Sequence, residues 1–138
     1  MNIYFACSIT GGRDHQAIYK AITDFLLNSG HTVPTAHLAD HDVVDLEKIV
    51  DAGDIYRRDV NWIKGCDVLV AEVSTPSHGV GYEIGYALSL NKPVLCLHKK
   101  NIKVSKMITG NPNPLLQVSS YQDEDEAITF LRNFLNNS

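Results

Sequence analysis

The chain has 138 residues, one domain's length and enough for a single hydrophobic core. Hydrophobic residues make up 44% and charged residues 20%, with nine Gly and five Pro, which excludes disordered, collagen-like and low-complexity classes. Twelve Lys plus Arg against sixteen Asp plus Glu give a net charge of -4, the wrong sign for a protein that coats nucleic-acid phosphates.

In chain order, short β-rich runs alternate with helical stretches. Strands are predicted over Ile3 to Cys7, around Thr32-Val33, and over Val68 to Val73, Pro93 to Leu97 and Leu115 to Val118. Helices are predicted over Asp14 to Ser29, Asp54 to Lys64, Val80 to Leu90, briefly near Lys106, and over Asp125 to Leu135. This βα alternation predicts one α/β domain over residues 1–138, with a parallel sheet of about five strands and helices on both faces. Gly30 is placed to cap the first helix, and Asp123 to Glu126 put negative charge at the positive end of the last. His37 to Gly53 is the least patterned part and reads as a long excursion after the second strand, of the kind that forms binding loops. The longest apolar runs, such as Val68-Leu69-Val70-Ala71, are strand-sized, and Met1 leads into a polar residue, so neither a membrane span nor a signal peptide is expected. Cys7, Cys66 and Cys96 each adjoin an apolar run, which predicts buried thiols and a cytoplasmic location.

In open α/β sheets ligands bind at the carboxyl ends of strands where strand order reverses. The loop after the first strand reads Ser8-Ile9-Thr10-Gly11-Gly12-Arg13-Asp14. Its glycines admit an anion to the backbone N–H groups, its hydroxyls donate and Arg13 supplies charge, so it reads either as a phosphate cradle or as a tight turn with a helix cap. It matches neither a Walker A loop nor a GxGxxG fingerprint.

The loop after the third predicted strand reads Ser74-Thr75-Pro76-Ser77-His78-Gly79-Val80-Gly81-Tyr82-Glu83-Ile84-Gly85. Val80, Ile84, Ala87 and Leu88 make an apolar stripe, and Glu83 falls on that face, in what reads as the first helical turn. There the dipole favours its ionised form and burial opposes it, which suits a nucleophile or base, although a carboxylate at such a place also serves as a cap. Gly79, Gly81 and Gly85 lie within seven residues, a density that calls for close approach of a ligand or a partner helix. Glu72 is the rival carboxylate and reads as structural, in need of an N–H or Arg partner. Asp59 lies on a helix with Ile55, Trp62 and Ile63 as core residues, and its plain reading is an ion pair at helical spacing. His37 and His41 stand four apart beside Asp40 and Asp42, but no third ligand or HExxH pattern accompanies them, so no metal is assigned. No Gly-x-Ser-x-Gly elbow is present for a serine triad.

Several of these residues stand in a familiar order: Tyr4-Phe5, Ser8-Ile9, Gly11-Gly12-Arg13, Asp59 with Trp62, Ala71-Glu72-Val73, Pro76-Ser77, Gly79-Val80-Gly81-Tyr82-Glu83-Ile84-Gly85, and Val104-Ser105 with Met107-Ile108 and Gly110. The pattern resembles the 2'-deoxynucleoside 5'-phosphate N-hydrolases, the Rcl family, within the nucleoside 2-deoxyribosyltransferase superfamily. The resemblance implies a flavodoxin-like or Rossmann-like homodimer without a cofactor, acting on a small nucleotide, with Glu83 as the nucleophile on the anomeric carbon. It further implies that Tyr4 orients Glu83 and that Asp59 serves the departing base or the proton transfers. Ser8, Ile9, Thr10, Gly11, Gly12, Arg13, Ser77 and Gly79 would line the sugar-phosphate site. Ser105 would reach the phosphate in the neighbouring subunit's site, and His37 would lie near the base. Family members commonly carry Arg where this chain has Thr10 and Gly where it has Cys7, which leaves Arg13 as the loop's cation.

The residue types suit that chemistry, because a carboxylate beside an anomeric carbon stabilises oxocarbenium character or traps it covalently, and a second carboxyl moves protons. Water as the acceptor gives hydrolysis of (2'-deoxy)nucleoside 5'-monophosphates. A second base as the acceptor gives deoxyribosyl transfer between 2'-deoxynucleosides. A nucleotide-binding or receiver-like module is the non-enzymatic alternative, disfavoured because a receiver needs an acidic pair after strand one and this chain has Cys7-Ser8 there.

Overall fold

The computed structural model describes residues 1–9, 15–39 and 48–138. Among them are strands β1 (Ile3–Ala6), β2 (Val68–Glu72), β3 (Val94–Lys99) and β4 (Leu116–Tyr121). The helices are α1 (Gln16–Asn28), α2 (Ala52–Gly65), α3 (His78–Ser89), the single turn α4 (Lys106–Thr109) and α5 (Glu124–Asn136), with a 3-10 turn at Ala36–Ala39. The strands pair in parallel in the order β1-β2-β3-β4.

Both faces of the sheet are covered, so β1 and β2 are buried at every position rather than alternating with polar residues. Ile3, Phe5, Val68, Val70, Leu95 and Leu97 pack under α1 and α5, whereas Tyr4, Ala6, Leu69, Ala71, Val94 and Cys96 pack under α2 and α3. The three cysteines are buried thiols outside any disulfide, as expected from their apolar neighbours. Gly30 follows α1 with φ +85°, the left-handed region in which glycine is favoured after a helix. At the start of α5 the Asp123 carboxylate accepts from the Glu126 N–H at 2.9 Å while Glu126 accepts from the Gln122 N–H at 3.0 Å.

The strand predicted around Thr32-Val33 is reduced to one bridge, so the sheet has four strands rather than five. The reason is local. The Thr32 N–H donates to Met1 and the Ile3 N–H donates to Thr32, so the next rung requires an N–H from residue 34, which is proline. The Phe5 N–H is taken instead by the Thr35 hydroxyl at 2.9 Å. The bridge still lies on the edge of β1 away from β2. The chain therefore runs from β1 to one side and returns through α2 to β2 on the other, which makes the carboxyl ends of β1 and β2 the point where strand order reverses.

Glu72 ends β2 on the α1/α5 side and is fully buried. It accepts the Ser74 N–H at 2.7 Å, the Ser74 hydroxyl at 2.9 Å and the Tyr121 hydroxyl, while the Lys99 N–H donates to Ser74 Oγ at 2.9 Å. Burial and the adjoining Glu72 carboxylate push the Tyr121 phenol above its ordinary range, so it remains a donor. This carboxylate ties together the ends of three strands and is the structural group that a buried, donor-surrounded Glu should be. Glu72→Gln replaces an acceptor with a group that is half donor. It should lower stability by about 1–3 kcal/mol in urea unfolding with an unchanged slope. Stability equal to that of the parent would show that Ser74 and Tyr121 are held by other contacts.

Candidate active site

The alternation of β1 sends Tyr4 into the layer under α2 and α3, where it is completely buried. A buried phenol needs a partner for its hydroxyl, and Tyr4 donates to Glu83 Oε2 on α3. Ser77 caps α3 by accepting the Val80 N–H at 3.3 Å, so the helix starts at His78. Glu83 therefore lies in the second turn, not the first as its sequence neighbours suggest, and the helix dipole has faded there. What remains is desolvation, and burial pushes the Glu83 carboxyl up from 4.5 to about 8. The expected stripe of Val80, Ile84, Ala87 and Leu88 is buried, with half-buried Glu83 on its flank.

Glu83 faces a cavity of about 300 Å³. Cys7 and Ile9 close it from the end of β1, Ser77 and Gly79 from the start of α3, and Ile55, Asp59 and Val60 from α2. Asp59 is 19% exposed at its side chain and pairs with Arg58, Nε to Oδ1 at 2.9 Å. The Arg58 guanidinium lies 4.9 Å over the Trp62 ring, and His37 meets Trp62 edge-on at 5.9 Å. Asp59 thus pairs with its immediate neighbour rather than with a partner at helical spacing, and it also stands on the cavity wall.

Tyr4, Ile9, Asp59, Ser77, Gly79 and Glu83 are brought together around this cavity. Ser8 is buried between Cys7 and Ile9 without forming part of the wall. His37 is held against Trp62 rather than on the wall. Ser105 lies apart: it caps α4, accepting the Met107 N–H at 3.2 Å, and lines a separate hollow of about 880 Å³ over Gly81 and Gly85. Thr10, Gly11, Gly12 and Arg13, and the His41 of the paired-histidine pattern, lie outside the described residues. Among the described residues no three His, Cys, Asp or Glu side chains gather as a metal site.

The expected close approach over the glycines is not made by the described residues of this chain. A methyl group at Gly79 would meet Ser77 Oγ at an ordinary 3.9 Å, and one at Gly81 or Gly85 would meet nothing within 4 Å among the described residues. Sequence reasoning placed Ile55 in the core, but it is half-buried and lines the cavity, because only Ile63 of α2 is buried. Tyr56, Val60 and Tyr82 were missed as wall residues. The signal for the α2 pair was helical spacing, since Ile55, Tyr56, Asp59, Val60 and Ile63 share one face.

The family model described as nucleoside 2-deoxyribosyltransferase matches residues 3–126. The chain belongs to the nucleoside 2-deoxyribosyltransferase family. Among curated relatives of this family member, a Danio rerio protein named 5-hydroxymethyl-dUMP N-hydrolase is 42% identical over 139 residues, covering 97% of this chain and 95% of the relative. A Methanosarcina mazei protein, provisionally named 2'-deoxynucleoside 5'-phosphate N-hydrolase 1, is 40% identical over 134 residues, covering 97% and 83%. Among solved structures, a Clostridium botulinum CMP N-glycosidase superposes with a TM-score of 0.71 at 22% identity, covering 96% of this chain and 98% of the other, which shows a shared fold. No helix among the described residues is long and apolar enough to cross a membrane.

The raised Glu83 carboxyl makes a stability prediction. Between pH 4.5, its ordinary value, and about 8, the folded protein keeps a proton that the unfolded chain has released. Stability therefore falls as pH rises through that window and levels off above it. Glu83→Gln keeps an acceptor for Tyr4 and removes the titration, so the variant's melting temperature should gain on the parent's from about pH 5 to about pH 8.5. A difference independent of pH would show that the carboxyl is not desolvated.

Proposed function

We propose that this family member hydrolyses the N-glycosidic bond of (2'-deoxy)nucleoside 5'-monophosphates, releasing free base and (deoxy)ribose 5-phosphate. The observation that carries the reading is the Glu83 carboxylate, gripped by the buried Tyr4 hydroxyl at a cavity whose wall also holds Asp59. The names of the relatives at about 40% identity, which are N-hydrolases of 2'-deoxynucleotides, support water as the acceptor.

In this reading the ionised form of Glu83, which grows as pH rises toward about 8, attacks the anomeric carbon, and the carbon–nitrogen bond breaks with its electron pair leaving on the base. That nitrogen takes a proton from water relayed by Asp59, whose carboxylate, held by Arg58, is then the base for the second step. Water then attacks the same carbon, Asp59 takes its proton, and the glycosyl ester opens to return the Glu83 carboxylate. Tyr4 donates to one carboxylate oxygen, which fixes the side chain and favours the ionised form against the desolvation that opposes it. Ile9, Ser77 and Gly79, on the cavity wall, would meet the sugar and phosphate, and the resemblance assigns Ser8, Thr10, Gly11, Gly12 and Arg13 to the same group and His37 to the base.

The test is a panel of nucleosides and their 5'-monophosphates, each with and without a second free base. Monophosphates should be cleaved far better than nucleosides, with no base exchange, and Glu83→Ala should lower kcat on the order of a thousandfold or more. Equal turnover of unphosphorylated nucleosides, accompanied by exchange, would move the reading to deoxyribosyl transfer.

The finer reading is a homodimer with shared sites. Gly81, Gly85 and Ser89 recur at spacing four on the open side of α3, where a second helix can come close, and Ser105 lines the hollow over the first two. Ser105 would then complete the phosphate site of the other subunit. If so, mixing Glu83→Ala chains with Ser105→Ala chains should restore activity at subsaturating nucleotide, because each mixed dimer holds one intact site. A mixture no more active than its two components, or a fully active monomer by sedimentation, would exclude the shared site.

A further inference from the structure

Two large rings stand on the lip of the Glu83 cavity without a part in the chemistry above. Tyr56 of α2 and Tyr82 of α3 both line it, with centroids 6.5 Å apart and planes tilted by 59°. Tyr82 in turn stacks on Tyr86 at 6.2 Å and 8°. Tyr56 is 55% exposed and Tyr82 56%, so neither is placed by core packing. Exposed aromatic groups gathered at the mouth of a largely apolar cavity that holds two carboxylates mark a surface that takes a ligand.

The two walls of the cavity divide the substrate between them. Glu83, on α3, approaches the anomeric carbon from the side away from the leaving base, so the base lies toward α2. Asp59 serves that base, and Tyr56 is three residues before Asp59 on the same face of the helix. Tyr82 touches both the cavity and the hollow over Gly81, whereas Tyr56 lines the cavity alone.

We infer that Tyr56, braced by Tyr82, receives the base of the nucleotide at the cavity mouth, ring against ring. The inference rests on the N-hydrolase reading and adds a binding residue to it. Every base has a π face, so stacking admits purines and pyrimidines alike and grips the larger purine surface harder. Base selectivity at this wall then follows ring area rather than a hydrogen-bond code.

Equilibrium binding to full-length Glu83→Gln protein, which does not turn over, tests the contact separately from catalysis. Three probes suffice: a purine and a pyrimidine 2'-deoxynucleoside 5'-monophosphate, and 2-deoxyribose 5-phosphate, which has no base. Adding Tyr56→Ala should weaken both nucleotides by about tenfold or more, the purine most, and leave the sugar phosphate unchanged. Tyr56→Phe should stay within about threefold of the parent, since it keeps the ring. Unchanged nucleotide binding in the Ala variant would overturn the inference, as would equal weakening of the sugar phosphate or a Phe variant as impaired as Ala. A Tyr56→Ala protein that binds nucleotide normally but changes its sedimentation would assign the rim to a protein interface instead. Failure of the hydrolase reading shows elsewhere, as a parent protein that cleaves none of the nucleotides.

Discussion

The hydrogen bond from Tyr4 to Glu83 fixes more of this molecule than its own two residues. Tyr4 is in the middle of a strand buried on both faces, and its hydroxyl would be left in an apolar layer without an acceptor. Glu83 supplies that acceptor from a helix, and in doing so sets how far α3 advances along the sheet. Ser77, the cap, and Gly79 are carried to the switch point with it. The same bond leaves a carboxylate half in and half out of the core, which is why its proton affinity is raised.

Two glutamates eleven residues apart illustrate how environment separates role. Glu72 points to the α1/α5 side, accepts from Ser74 and Tyr121, and lines neither of the two hollows described above. Glu83 belongs to the other layer, has a phenol as its partner and opens onto empty volume. A carboxylate surrounded by donors is a finished structure, whereas one with a single donor among the described residues and a desolvated setting has the perturbed proton affinity that clusters at functional sites.

Much of this arrangement was legible in the sequence. The βα alternation, the loop ahead of α3 at the switch point, the buried stripe of α3 and the contrast between Glu72 and Glu83 all follow from period and residue type. What was missed has particular causes. The fifth strand failed at Pro34, a residue visible in the sequence, because the rung that needs its N–H depends on register, and register is a property of two chain segments at once. The start of α3 lay two residues early because Ser77 was read as part of the loop and not as a cap. Ile55 looked like core because helical spacing shows which face is apolar and not whether that face meets protein or an opening. Ser105 was placed by resemblance at the neighbouring subunit's phosphate, and within one chain it lines a different hollow from Glu83.

The early end of pairing beside β1 has a consequence for how copies of this chain meet. A sheet edge with free N–H groups is a template on which another chain's strand can zip. Here the Ile3 N–H is used by Thr32, the Phe5 N–H by the buried Thr35 hydroxyl, and a proline stands between them. An incoming strand finds those donors already spoken for by a hydroxyl that does not extend into a ladder. The substitution of a side chain for a fifth strand therefore works as insulation: it lets the chain leave the sheet early without leaving behind an adhesive border.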